Sequence, residues 1–145
     1  MDLDRDDVID TLNEIVELEL AGAVRFTQYS MMVFGHARIP IIGWMREQAA
    51  ESLLHATLAG EEVTALGGNV SLAIGELVGS HHDAVDQMME EMVVHERRGI
   101  ALYERLLAQV EGRDVSLEEF ARQQLRNEAV HVAEIQKMLR RRGDA

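Results

Sequence analysis

The chain contains no cysteine, which excludes a disulfide framework, a zinc knuckle and thiol chemistry. It has one proline, and its glycines fall mostly at segment edges, so little interrupts long helices. No apolar run approaches the length of a membrane span. The N-terminal Met1-Asp2-Leu3-Asp4-Arg5-Asp6-Asp7 lacks the basic start and apolar core of a signal peptide. The expected location is cytoplasmic, with no membrane partner. Positive charge is scarce too: 14 Lys and Arg against 26 Asp and Glu give a formal net charge of -12. Such a surface repels nucleic-acid phosphate and attracts cations, and it also serves plain solubility.

What is present is a globular composition, 47% hydrophobic and 28% charged over 145 residues, long enough for a single domain, 1–145, with a real core. Four helical stretches fill most of it, at about 6–34, 40–66, 80–110 and 116–142. In the first, Val8, Leu12, Ile15, Gly22, Phe26, Tyr29 and Val33 follow a 4-3 repeat. The second starts at Pro40 and stops at Gly67-Gly68; Ile42, Met45, Ala49, Leu53, Ala56, Val63 and Leu66 are its core candidates. The third opens near Ser80, with Ser80-x-x-Asp83 as a cap, and carries Val85, Met89, Met92, Gly99, Tyr103, Leu106 and Val110 inward. The fourth follows Ser116, whose Ser-x-x-Glu to Glu119 reads as a capping box; Leu117, Ala121, Leu125, Val132, Ile135 and Leu139 line it, and Arg140-Arg141-Arg142 suits its C-terminal dipole.

Short first and third links predict two antiparallel hairpins. The middle linker, 69–79, is just long enough to run the length of the bundle. The expected fold is therefore all-α: an antiparallel four-helix bundle with one long crossover.

Three acids interrupt the apolar stripes. Glu19 falls between Ile15 and Gly22, Glu96 between Met92 and Gly99, and Glu128 between Leu125 and Val132. The first two share a weak repeat, Glu-x-x-Gly-x-x-x-aromatic. A carboxylate in a core is costly unless it is paired or holds a metal. Imidazoles accompany the acids: His131 follows Glu128 by three residues and His55 follows Glu51 by four, so each pair shares a helix face. Thirty-two residues separate Glu19 from Glu51, and 32 again separate Glu96 from Glu128. Two such halves would enclose a two-metal site. Glu-x-x-His alone is weak, since about one or two hits arise by chance among six histidines; the weight lies in the matched pattern. The competing reading makes these acids boundary residues whose heads reach water.

Over nearly its whole length the chain resembles the bacterioferritin-like branch of the ferritin-like di-iron carboxylate superfamily. The resemblance rests on Asn13-Glu14 with Glu19-Leu20, His55-Ala56 leading to Ala65-Leu66-Gly67-Gly68, Glu96 with Gly99, Glu128-x-x-His131 and Lys137-Met138-Leu139. It implies Fe(II) oxidation by oxygen or hydrogen peroxide at a carboxylate-bridged di-iron centre, for iron storage or detoxification in a homo-oligomer, a dimer or larger. Glu19 and Glu96 would be terminal carboxylates, Glu128 a bridging one, and His131 a ligand to one metal. The full candidate set is Glu19, Glu51, His55, Glu96, Glu128 and His131, with the four carboxylates also the catalytic candidates. Two iron ions are the expected cofactors, manganese or zinc being compatible.

Three departures from the family pattern stand out. The bridging position three before His55 is Ser52, with the Glu one place earlier at Glu51. The haem-binding Met of bacterioferritins corresponds to Leu53, which makes haem doubtful. The chain stops at Ala145, so the short fifth helix of the large shells is expected to be missing. Two other functions fit the same residues: a di-iron or di-manganese oxidase or peroxidase without storage, and a non-catalytic helical interaction protein. Among the remaining residues His95 reads as a flank position, His81-His82 as polar helix-start residues, and the methionines, Tyr29, Tyr103 and Trp44 as packing.

Overall fold

The computed structural model describes residues 2–77, 79, 81, 84–141 and 143. Four helices hold most of them, and no strand occurs among the described residues: α1 Arg5–Met32, α2 Arg38–Ala65, α3 Val85–Val110 and α4 Val115–Leu139. The ends lie where backbone groups find partners. Asp4 caps α1 by accepting from the Asp7 N–H, with Asp6 and Asp7 at the positive end of the helix dipole. α2 begins at Arg38, ahead of Pro40, which sits in a first turn where its missing N–H removes no helical bond. Arg38 also donates back to the Val33 carbonyl at 2.7 Å, closing the end of α1.

Gly67 ends α2 as expected. With φ at 81° it lets its own N–H reach Thr64 O and the Gly68 N–H reach Val63 O, both at 3.0 Å, a Schellman motif. α3 starts at Val85, later than the expected start; Ser80, its Ser80-x-x-Asp83 cap and His82 lie outside the described residues, and His81 is exposed and non-helical. α4 is capped by Asp114 and not Ser116. The Asp114 backbone is already extended after the Gly112 turn, and its Oδ1 takes the Leu117 N–H at 3.0 Å, leaving Ser116 inside the first turn.

The middle linker is a crossover that climbs α1. Asn13 donates to Asn69 O at 2.9 Å and accepts from the Ser71 N–H at 2.8 Å; one turn on, the Gly75 N–H reaches Glu17 O at 2.9 Å. Gly75 is pressed against the helix: a Cβ there would stand 2.9 Å from the Glu17 carbonyl oxygen. Leu77 and His81 then line a cavity with Arg25 and Gln28, farther along α1. The chain thus returns to the end where α2 began, so α3 runs parallel to α2, and α4 parallel to α1.

Apolar side chains form two layers. One joins Val8, Leu12 and Ile15 to Val63, Leu106 and Leu117. The other joins Phe26 and Tyr29 to Met45, Met88, Met92 and Ile135. One expected core residue is misplaced: Leu53 is 52% exposed, whereas Ser52 is 5% exposed. The inward face of α2 is Met45, Ala49, Ser52, Ala56, Ala59 and Val63, a regular 4-3 alternation that passes through the serine. Between the two layers lies a polar midsection.

Candidate metal centre

Each helix brings its acid or imidazole to that midsection from near its middle. Glu19 of α1, His55 of α2, Glu96 of α3 and Glu128 of α4 are all buried, at 1%, 3%, 5% and 1% exposure. His131, one turn after Glu128, is half-buried. Two groups of donor atoms come together: Glu19, His55 and Glu128, and Glu96, Glu128 and His131, with the atoms of each group within 4.8 Å of one another. Glu128 belongs to both.

The contacts divide by ring nitrogen. His55 Nδ1 lies 2.9 Å from Glu19 Oε2 and 3.3 Å from Glu128 Oε1. His131 Nδ1 faces Glu96 Oε2 at 3.8 Å. The two imidazoles are nearly parallel, 10° between planes and 6.3 Å between centroids. Their outer nitrogens meet Glu51: Oε2 is 2.9 Å from His131 Nε2, and Oε1 is 3.8 Å from His55 Nε2. Glu51 stands at the rim, its side chain 36% exposed. All six expected residues are therefore gathered at one place, five with donor atoms in the two groups and Glu51 behind the histidines.

Glycines make the space, and the Glu-x-x-Gly repeat acquires a meaning. A Cβ on Gly99 would touch the Glu128 carboxyl group, at 3.7 Å from its carbon. A Cβ on Gly22 would lie 2.6 Å from both Ser52 Oγ and His95 Nε2. Ser52 Oγ donates to the Glu19 carbonyl at 2.8 Å. His95 is not at a flank: it is 2% exposed, edge-on to Phe26 at 5.3 Å, in the room that Gly22 leaves. In the sequence, Glu96 on the stripe puts the adjacent His95 beside it; the missing side chain at Gly22 is the signal that both fit inside.

Burial dominates the electrostatics. It raises the Glu19 pKa to about 7, against the pull of His55 and with help from the Glu96 charge. For His55, burial disfavours the cation, but Glu19, Glu51 and Glu96 outweigh it and raise the pKa. His131 is raised in the same way, burial being outweighed by Glu96 and Glu51. His95 is lowered by burial, which the Glu96 charge does not overcome. Tyr103 is pushed well above the ordinary tyrosine value, by burial first and then by Glu19 and Glu96. Tyr29 is occupied elsewhere, with its hydroxyl on Glu91 at 3.0 Å and the Arg25 guanidinium 4.4 Å above its ring.

The donors fit metal ions. Among the described residues, Glu96 Oε2 and Glu128 Oε2 are buried without a hydrogen-bond partner. An unsatisfied carboxylate oxygen in a core is a large cost that a coordinated cation removes. Carboxylate oxygens with one imidazole in each group suit iron, manganese or zinc.

The ferritin-like domain family matches residues 9–142, so the chain belongs to that family. Solved structures share the fold. A ferritin-like, diiron-carboxylate protein from Bacillus anthracis superposes with a TM-score of 0.89 at 22% identity, covering 97% of this chain and all of its own. A bacterioferritin-related protein from Bacteroides fragilis, described as a dodecameric thioferritin, superposes with a TM-score of 0.85 at 24% identity, covering 94% of this chain and 86% of its own. No curated protein sequence matches the chain. Among the described residues, no helix is long and apolar enough to cross a membrane.

Proposed function

We propose that this ferritin-like chain binds two iron ions in its core and oxidises Fe(II) there, with oxygen or hydrogen peroxide as acceptor, for iron storage or detoxification. The observation that carries the reading is the pair of buried donor groups sharing Glu128. One cation would leave the other group's acids unneutralised in an apolar interior. Two divalent cations balance the charge of Glu19, Glu51, Glu96 and Glu128.

Fe(II) is the substrate. Two ions give up one electron each; with two protons, one dioxygen becomes hydrogen peroxide, or one hydrogen peroxide becomes two waters. The protein's part is to hold the ions, with Glu19 and His55 at one, Glu96 and His131 at the other, and Glu128 spanning both. The carboxylates, as hard donors, favour the ferric product. Manganese or zinc would bind the same donors. The rim at Glu51 is where the cluster meets water, and the surplus of acids over the whole chain draws cations toward it.

Self-association fits the outer surface. Leu53, Leu54 and Leu58 on α2 are 52%, 54% and 37% exposed, an apolar area of the kind that copies of one chain bury against each other. A homo-oligomer large enough to store iron is the assembly we assign.

Anaerobic titration with Fe(II) tests the reading. It should bind two ions per chain, and admitting oxygen or peroxide should oxidise them faster than free Fe(II). Glu19→Ala and Glu96→Ala should each lose one ion. A chain that binds none is the helical interaction protein instead. A chain that binds and oxidises iron but elutes as a dimer is an oxidase or peroxidase without storage.

A further inference from the structure

The acid of α2 does not stand where the acid of α4 stands. A Cβ on Gly99 would meet Leu18 of α1 at 3.3 Å and Glu128 of α4 at 3.7 Å; a Cβ on Gly22 would meet His95 of α3 and Ser52 of α2, both at 2.6 Å. The two glycines occupy the same place in the Glu-x-x-Gly repeat, so Ser52 is the counterpart of Glu128. Its hydroxyl is already committed to the Glu19 carbonyl. Glu51, one residue earlier on the helix, is turned by about 100° away from that direction. Its carboxylate meets the outer nitrogens of both histidines, while their Nδ1 atoms point at Glu19, Glu128 and Glu96.

We propose that Glu51 is a positioning residue and not a bridging ligand: its carboxylate braces His131 from behind and turns that ring's Nδ1 atom into the centre, leaving Glu128 as the one carboxylate that would serve both ions. The inference rests on the two-metal reading above and assigns one of its six residues a different task. A carboxylate accepting from the far nitrogen of a ligating histidine fixes the ring's tautomer and orientation and makes the near nitrogen a better donor. Here only His131 is within hydrogen-bond reach, its Nε2 at 2.9 Å from one Glu51 oxygen, while His55 Nε2 stands 3.8 Å from the other, too far for such a bond. The His131 site should therefore depend on Glu51 more than the His55 site does.

Equilibrium titration with Co(II), followed by its visible d–d bands, separates the possibilities on the full-length chain. The wild type should bind two ions. Glu51→Ala should still bind two, with the affinity of the weaker site reduced about 10–100-fold. Glu51→Gln should restore most of that affinity, since an amide oxygen accepts from Nε2–H as a carboxylate does but bridges two metals poorly. His131→Ala, which removes a ligand outright, should bind one. If Glu51→Ala also binds one, and Glu51→Gln is no better, then Glu51 is a ligand and the positioning role is wrong. If the wild type binds no Co(II), the metal reading fails, and this assignment with it. Circular dichroism of the metal-free variants identifies any that fail to fold; if Glu51→Ala is such a case, the comparison of Glu51→Gln with wild type decides, two wild-type-like sites supporting the brace and a lost site overturning it.

Discussion

Glu128 is the residue on which the centre turns, because its carboxylate belongs to both donor groups while one of its oxygens lacks a protein partner. Without metal that arrangement is a burden on the fold. Glu128→Leu, which removes the polar atoms at similar size, should raise the stability of the metal-free chain by about 1–3 kcal/mol, the cost of one unsatisfied buried group, and should abolish the stabilisation that metal gives to the wild type. Thermal unfolding with and without Mn(II) checks both. A neighbour makes the opposite case. Gly22→Ala would drive a methyl group into Ser52 and His95 at 2.6 Å, and both are held inside the core. A loss of about 1–3 kcal/mol is expected from overpacking, seen as a lower melting temperature.

The sequence shows why these residues were readable and others were not. Glu19, Glu96 and Glu128 betray themselves by breaking apolar stripes that are otherwise regular. Ser52 does not, because a serine beside Leu53 looks like the polar neighbour of a core residue. The 4-3 alternation in α2 is carried by small residues, Ala49, Ser52, Ala56 and Ala59, whose size is set by the crowded centre. The equal 32-residue spacing points at Glu51, yet the α2 side chain that meets Gly22, beside His95 of α3, comes from the next residue.

At the scale of the elements, the two hairpins and the crossover followed from linker lengths, since short links allow only antiparallel neighbours. Boundaries were harder. Asp114 and Ser116 both offer a capping oxygen, and the choice between them is made by the backbone entering from Gly112, which the side-chain pattern does not carry. The crossover has its own requirement at Gly75. A Cβ there would meet a backbone oxygen at 2.9 Å, which cannot rotate aside. Gly75→Ala should cost about 1–3 kcal/mol by the same overpacking. Amide hydrogen exchange should quicken first in the segment around 69–77, where Asn13 and Glu17 now hold it.

At the scale of the whole molecule, the cluster should set how stability varies with pH. Glu19 has a raised pKa, near 7, so between about 4.5 and 7 the folded chain holds its proton more tightly than the unfolded chain does. Stability must then fall as pH rises through that window, by on the order of 3 kcal/mol for Glu19 alone. The raised values of His55 and His131 act in the same sense, since the stability they give below the ordinary histidine pKa is lost as they deprotonate. The metal-free chain should melt at a lower temperature at pH 8 than at pH 5. Saturating Mn(II) should remove or reverse that difference, because ligation needs ionised carboxylates and neutral imidazoles. Calorimetry at the two pH values, with and without Mn(II), reads it directly.

The measurement that bears most directly on the whole account is anomalous diffraction from crystals soaked in Fe(II) without oxygen, with data on both sides of the iron absorption edge. Two iron peaks should appear in the midsection of the bundle, one between Glu19 and His55, the other between Glu96 and His131, with the Glu128 carboxylate touching both. An interior without iron density, or iron confined to the acidic surface, would contradict it.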